Sequence, residues 1–241
     1  MTSTVTPYLL TALPPVSRRT EPPALSVAEF RAMIPAGALA TLVDAVLIAD
    51  DLRLWPGLVA GASDQPPPVV LEPAVMRGES SADQALGEWP RAEGDERLLG
   101  YWEWVRTQAQ DHASQSLAEW VAWEVLVAGT VRAWRAQTHG SDGTWPPALS
   151  ALASSDAGDQ ALASELAGAL RQAEDPLAVQ TLIDDIRWRW LDDHDHRFTF
   201  RDDEVVLYAA RLALAWRWRR ILHDADAAPA AASGEPLGAS S

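Results

Sequence analysis

Cysteine is absent from the 241-residue chain, which removes disulfides, thiolate nucleophiles and thiolate-built zinc sites together. Lysine is absent too. All 19 basic residues are arginine, and the 34 acidic residues leave a formal charge of -15. A phosphate backbone is repelled by that charge, so nucleic acid is not an expected partner. No stretch approaches the roughly 18 uninterrupted apolar residues of a membrane span, and MTSTVTPYLLTALPPV lacks the basic start and long apolar centre of a signal peptide. The expectation is a soluble protein that stays where it is made. Also missing are sustained strand alternation, a Gly-rich phosphate loop, a nucleophile elbow and a Ser/His/Asp set at a known spacing. What is there is apolar: at 48% hydrophobic, the chain can bury a core as one large domain or two small ones.

The order of helix signals is clear. Residues 8–16, YLLTALPPV, form a short apolar opening segment closed by Pro14-Pro15. After Pro22-Pro23, Ser26 stands three residues before Glu29, a capping box that predicts a helix from about Val27. A second helix is expected over TLVDAVLIADDLRLW, with Leu42, Val46, Ala49 and Arg53 on one side, stopping at Trp55-Pro56. Between Pro56 and about Asp95 the Pro and Gly content allows short helices at most. Residues 96–110 and 117–137 read as a helical pair. The second should be mostly buried, because Trp123, Val127, Val131 and Trp134 widen the stripe of Leu117, Trp120, Val121, Val125 and Ala128. His139-Gly140 ends it.

Residues 148–173 suit two modest helices around a break at Asp156–Asp159. Asp175-Pro176 starts another, with Val179, Leu182, Ile183, Ile186 and Trp190 at helical spacing. The last helix opens on Asp202, Asp203 and Glu204 and carries Arg217, Arg219 and Arg220 in its final turns, as the helix dipole favours. Its two apolar faces predict neighbours on two sides. The expected architecture is an all-α multi-helix bundle, one domain over 1–222 with a Pro-rich connection at about 56–95. The Ala/Pro/Gly/Ser tail, 223–241, is expected to be disordered.

Asp192-Asp193-His194-Asp195-His196 is the most metal-like stretch, since carboxylate oxygens and imidazole nitrogens suit Zn, Mn or Fe. His194-Asp195 also resembles the signature of helical metal phosphohydrolases, so a metal-dependent hydrolase using Asp192, His194, Asp195 and His196 is the enzymatic alternative. A position between two helices favours capping and solvated connection instead, and His112, His139 and His223 show no ligand spacing with the cluster. Glu124 lies among Trp120, Trp123, Val125 and Leu126, where a carboxylate needs either a raised pKa or an Arg partner. An interior ion pair with an Arg such as Arg187 is expected, and structural roles are likewise favoured for Asp44 and Asp50. Eight of the twelve tryptophans fall in groups, 102/104, 120/123, 188/190 and 216/218. One member of each group can enter the core while the other anchors an interface, or both can be enclosed.

The segments YLLTALPPV, PPALSVAEF, LVDAVLIADDL, LAEWVAWEVLVAGTVRA and DPLAVQTLIDDIRWRWLDDHDHRFTFRDDEVVLYAARLALAWRWRRIL follow in an order that resembles a bacterial family encoded within V/A-type ATPase operons. That family is a divergent counterpart of the C-type rotor component of V-type ATPases, designated d in eukaryotes. The resemblance covers most of residues 8–222 and is most specific over Tyr8 to Pro15, Pro23 to Phe30 and Asp175 to Trp218. Where the family has a polar Arg-Asn step in its central helix, this chain has Ala128-Gly129-Thr130. The resemblance implies a non-catalytic part that links the central rotor shaft to the membrane proteolipid ring and couples ATP hydrolysis or synthesis to H+ or Na+ transport. It implies no catalytic, cofactor-binding or metal-ligating residue and no cofactor. Its implied partners are the shaft subunits and the ring, with indirect membrane association on the cytoplasmic face. A free-standing interaction scaffold is the remaining alternative.

Overall fold

In a computed structural model that describes residues 6–18, 22–59, 68–76, 86–140, 145–195 and 199–232, every regular element is helical. Helices α1 (Thr6–Ala12), α2 (Val27–Met33), α3 (Ala38–Val59) and α4 (Pro73–Met76) are followed by a 3-10 turn at Trp89–Arg91. Then come α5 (Gly94–Asp111), α6 (Gln115–His139), α7 (Pro147–Ser150), α8 (Ala157–Leu170), α9 (Pro176–Asp193) and α10 (Asp202–Ala232). No described helix is long and apolar enough to cross a membrane.

Capping chemistry sets several of these boundaries. The Ser26 hydroxyl accepts from the Glu29 N–H at 3.1 Å while the Glu29 carboxylate accepts from the Ser26 N–H at 2.8 Å, so α2 begins where the capping box places it. Asp175 accepts from the Ala178 N–H at 2.7 Å, with Pro176 in the first turn of α9. Gly140, at φ +64°, closes α6 in the left-handed conformation that an L side chain resists. Replacing Ser26 by Ala is expected to cost about 1 kcal/mol. Thermal unfolding should then shift down by about 2–4 °C for a chain of this size.

Three boundaries differ from the sequence expectation. Helix α3 runs through Pro56 instead of stopping at it. Pro56 falls in the last turn, where its missing N–H forfeits a single helical bond and leaves the rest of the helix intact. Asp156 caps α8 and Asp159 lies inside it, so the break falls before Asp156 and not across 156–159. Helix α10 continues to Ala232, past the Asp224 boundary, through a stretch rich in alanine, the strongest helix former. Residues 233–241, the remainder of the expected tail, lie outside the described residues.

The centre of the bundle is α10. It packs on α3, α6 and α9 and carries α1 and α2 on the same helix, a fuller enclosure than neighbours on two sides. Val205, Val206, Leu207, Ala209 and Leu212 are all buried, and the small Ala209, Ala210 and Ala213 let neighbouring backbones approach. Trp123 and Trp190 are wholly enclosed and stack with ring centroids 6.3 Å apart, and Trp120 tilts against Trp190 at 5.3 Å. Both members of 120/123 and of 188/190 are thus core residues, whereas Trp104 and Trp216 are half-buried beside buried Trp102 and Trp218. The Tyr101 hydroxyl donates to the Ala45 carbonyl at 2.7 Å, tying α5 to α3. Gly100 permits the 3-10 turn to lie on α5, because a Cβ there would stand 2.4 Å from the Trp89 Cβ.

Candidate functional site

Periodicity on α6 and α9 turns Glu124 and Arg187 inward, and they meet. Arg187 donates from Nε to Glu124 Oε1 at 2.6 Å and from Nη2 to Oε2 at 2.8 Å, a bidentate pair with both residues buried. The interior ion pair expected for Glu124 is therefore present, with the partner named for it. Arg53 of α3 adds a bond from Nη2 to Oε2 at 3.3 Å. One helical turn before Arg187, the buried Asp184 accepts from Gln180 at 3.0 Å, from Arg187 at 3.5 Å and from Arg217 of α10. Alongside, Arg220 donates to Asp50 at 2.5 Å, and Arg31 holds Asp44 through both carboxylate oxygens. Asp44 and Asp50 thus have the structural roles expected of them.

The electrostatics follow from this geometry. Burial alone would raise the Glu124 carboxyl, but the guanidiniums of Arg187 and Arg53 outweigh it and hold the group below its ordinary value. Burial would likewise lower Arg187, and Glu124 with Asp184 reverses the sign. Arg217 is different. Burial, then the neighbouring Arg53 and Arg187, push it down to about 10. The reason is visible in the charge count: three guanidiniums (Arg53, Arg187, Arg217) surround two carboxylates (Glu124, Asp184). One cation is in surplus.

A cleft of about 390 Å³ opens beside this surplus, and Arg53, Arg132, Arg135, Arg187 and Arg217 all line it. No acidic residue is among its described lining. Arg132 is held at the rim by Asp95, with N–O distances of 2.7 and 2.9 Å, and its guanidinium lies 5.6 Å from the Trp145 ring centroid. Sequence reasoning missed this concentration. The sequence places Arg217 near the end of its helix as a complement to the dipole, but α10 continues for four turns beyond it and the side chain is buried. A usable signal existed in α6, where Arg132 and Arg135, at i and i+3, share a face with Ala128 and Val131.

The described members of the Asp/His cluster do not form a set. Asp192 is exposed and pairs with Arg18 at 3.0 Å. The His194 ring stacks on Trp190 at 3.7 Å, with Nδ1 2.9 Å from the Trp190 carbonyl oxygen. Asp195 lies 3.3 Å from Arg211. These side chains turn to three different partners, and His196 lies outside the described residues. Among the described residues no group of three or more His, Asp or Glu is placed to hold a metal ion.

No family model, curated protein or solved structure matches the chain.

Proposed function

We propose that this protein is a non-catalytic coupling component of a V/A-type ATPase, seated on the cytoplasmic face of the proteolipid ring and gripping the foot of the central shaft. The observation that carries the reading is where the resembling segments lie. Tyr8 to Pro15, Pro23 to Phe30 and Asp175 to Trp218 are far apart in sequence, yet they assemble into one unit around α10. The Tyr208 hydroxyl donates to the Pro14 carbonyl at 3.0 Å, and Trp216 Nε1 donates to the Leu25 carbonyl at 2.9 Å. These are long-range side-chain contacts, and they give the resembling residues a common structural job.

A body of close-packed helices suits torque transfer, since packed interiors yield little under load. The -15 charge complements basic groups on ring loops or shaft, chiefly by orienting the encounter. The test is a pull-down from native membranes with the full chain as bait. Ring and shaft subunits are expected in the bound fraction, with recovery falling as ionic strength rises. Recovery of neither, together with fully ion-coupled pumping in cells that lack the gene, overturns the reading.

A further inference from the structure

The arginine-lined cleft has donors to spare. A guanidinium carries five N–H donors, yet Arg53 and Arg217 make one hydrogen bond each among the described residues, to Glu124 and to Asp184. Buried Arg217 Nε has no acceptor. Arg135 is exposed at the mouth and has no carboxylate partner among the described residues. Leaving a charged buried donor unpaired is costly, and in a chain of net charge -15 carboxylates were plentiful. Buried Arg187 and Arg217 and exposed Arg53 nevertheless converge on one cavity whose described lining holds no carboxylate. The lining also has an apolar part, Val127, Val131, Ile183 and Trp145. Its volume of about 390 Å³ falls within the range of small-molecule sites.

We propose that this cleft binds a small phosphate-bearing anion, held by Arg53, Arg135 and Arg217 and packed against Trp145. A phosphoryl group offers three acceptor oxygens and close to two charges, so it can accept from several guanidinium forks at once. A monocarboxylate, with two oxygens and one charge, satisfies fewer of them. Arg187, already bidentate to Glu124, needs no new bond. Arg132 has the same position relative to Asp95. The site is independent of the coupling role and does not require it.

Isothermal titration of the full chain with inorganic pyrophosphate, ADP and acetate, at low ionic strength and pH 7, tests the proposal. Pyrophosphate or ADP is expected to bind with a Kd below about 100 µM, and acetate not to compete. Arg135→Ala should weaken binding roughly 10- to 100-fold, the worth of a charge-assisted hydrogen bond. Its thermal midpoint should stay unchanged because the side chain is exposed, and Arg135→Lys should retain most of the affinity. Tighter binding of ADP identifies a ligand whose ring stacks on Trp145, and equal or tighter pyrophosphate identifies a free inorganic phosphate; either supports the site. The proposal is overturned if neither phosphate compound saturates below about 1 mM, if acetate binds as well, or if the Arg135→Ala variant binds like the parent chain.

Discussion

Glu124→Ala is expected to destabilise the fold by about 3–5 kcal/mol, the cost of breaking a buried ion pair from one side. The loss takes from Arg53 its carboxylate partner and leaves Arg187 with Asp184, which it shares with Arg217. Against a total stability of about 5–15 kcal/mol for a typical chain, that is a large fraction, and urea unfolding will read it as a lower midpoint with an unchanged slope. Arg187→Ala should do comparable damage, since it strips Glu124 of its bidentate partner and Asp184 of a donor. The Glu124→Ala/Arg187→Ala double variant should lose less than the two single losses added together, by a coupling of about 0.5–3 kcal/mol. Additive losses would show that the pair acts as two separate packing residues.

The same pair sets a pH dependence. Because the folded-state pKa of Glu124 lies below its unfolded value of 4.5, its contribution is complete above that value and disappears as pH falls through the folded one. Acid unfolding of Glu124→Gln should therefore be less steep than that of the parent chain below pH 4.5.

Asp51→Ala is the second large effect. This carboxylate, only 2% exposed, accepts from the N–H groups of Val69, Val70 and Leu71 at 2.8, 2.8 and 2.9 Å. It pins the chain segment after α3 back onto that helix. Truncation orphans three donors at once, with an expected cost of about 2–4 kcal/mol. Asp51→Asn should be milder. Its single carbonyl can serve Val70 and Leu71, while its amide nitrogen faces the Val69 N–H. Amide hydrogen exchange at residues 69–71 will separate the two variants, with protection lost in the alanine form.

Burial raises the Asp51 pKa from 3.8 despite the three backbone donors, so the sign is opposite to that of Glu124. The folded chain holds the proton more tightly than the unfolded one, and stability declines as pH rises from 3.8 through the folded value. Asp51→Asn should lack that decline. A parent-like slope in the variant would assign it to another group.

Helix positions were legible because local chemistry decides them. Ser26 with Glu29, Asp175 with Pro176, and Gly140 each act within one turn, and each appears where the pattern places it. The burial of Glu124 was legible too, since aromatic and aliphatic neighbours on one helical stripe leave a carboxylate no water. The Arg cleft was not, because it is assembled by α3, α6, α9 and α10 together and no single helix reveals that its arginines converge. Pro56 and Arg217 escape the pattern for a related reason: each is judged by its own segment, whereas tertiary packing extends α3 and α10 past the local stop signals.

The contacts of Thr6, Pro14 and Leu25 with residues 202, 208 and 216 also impose an order of events during synthesis. The opening segments leave the ribosome about ten seconds or more before their docking helix exists, at roughly 5–20 residues per second. Until then Leu9 and Phe30, both buried in the finished protein, have no permanent shelter. Completion of this fold waits on the synthesis of α10, and a nascent chain arrested before α10 should be a chaperone client.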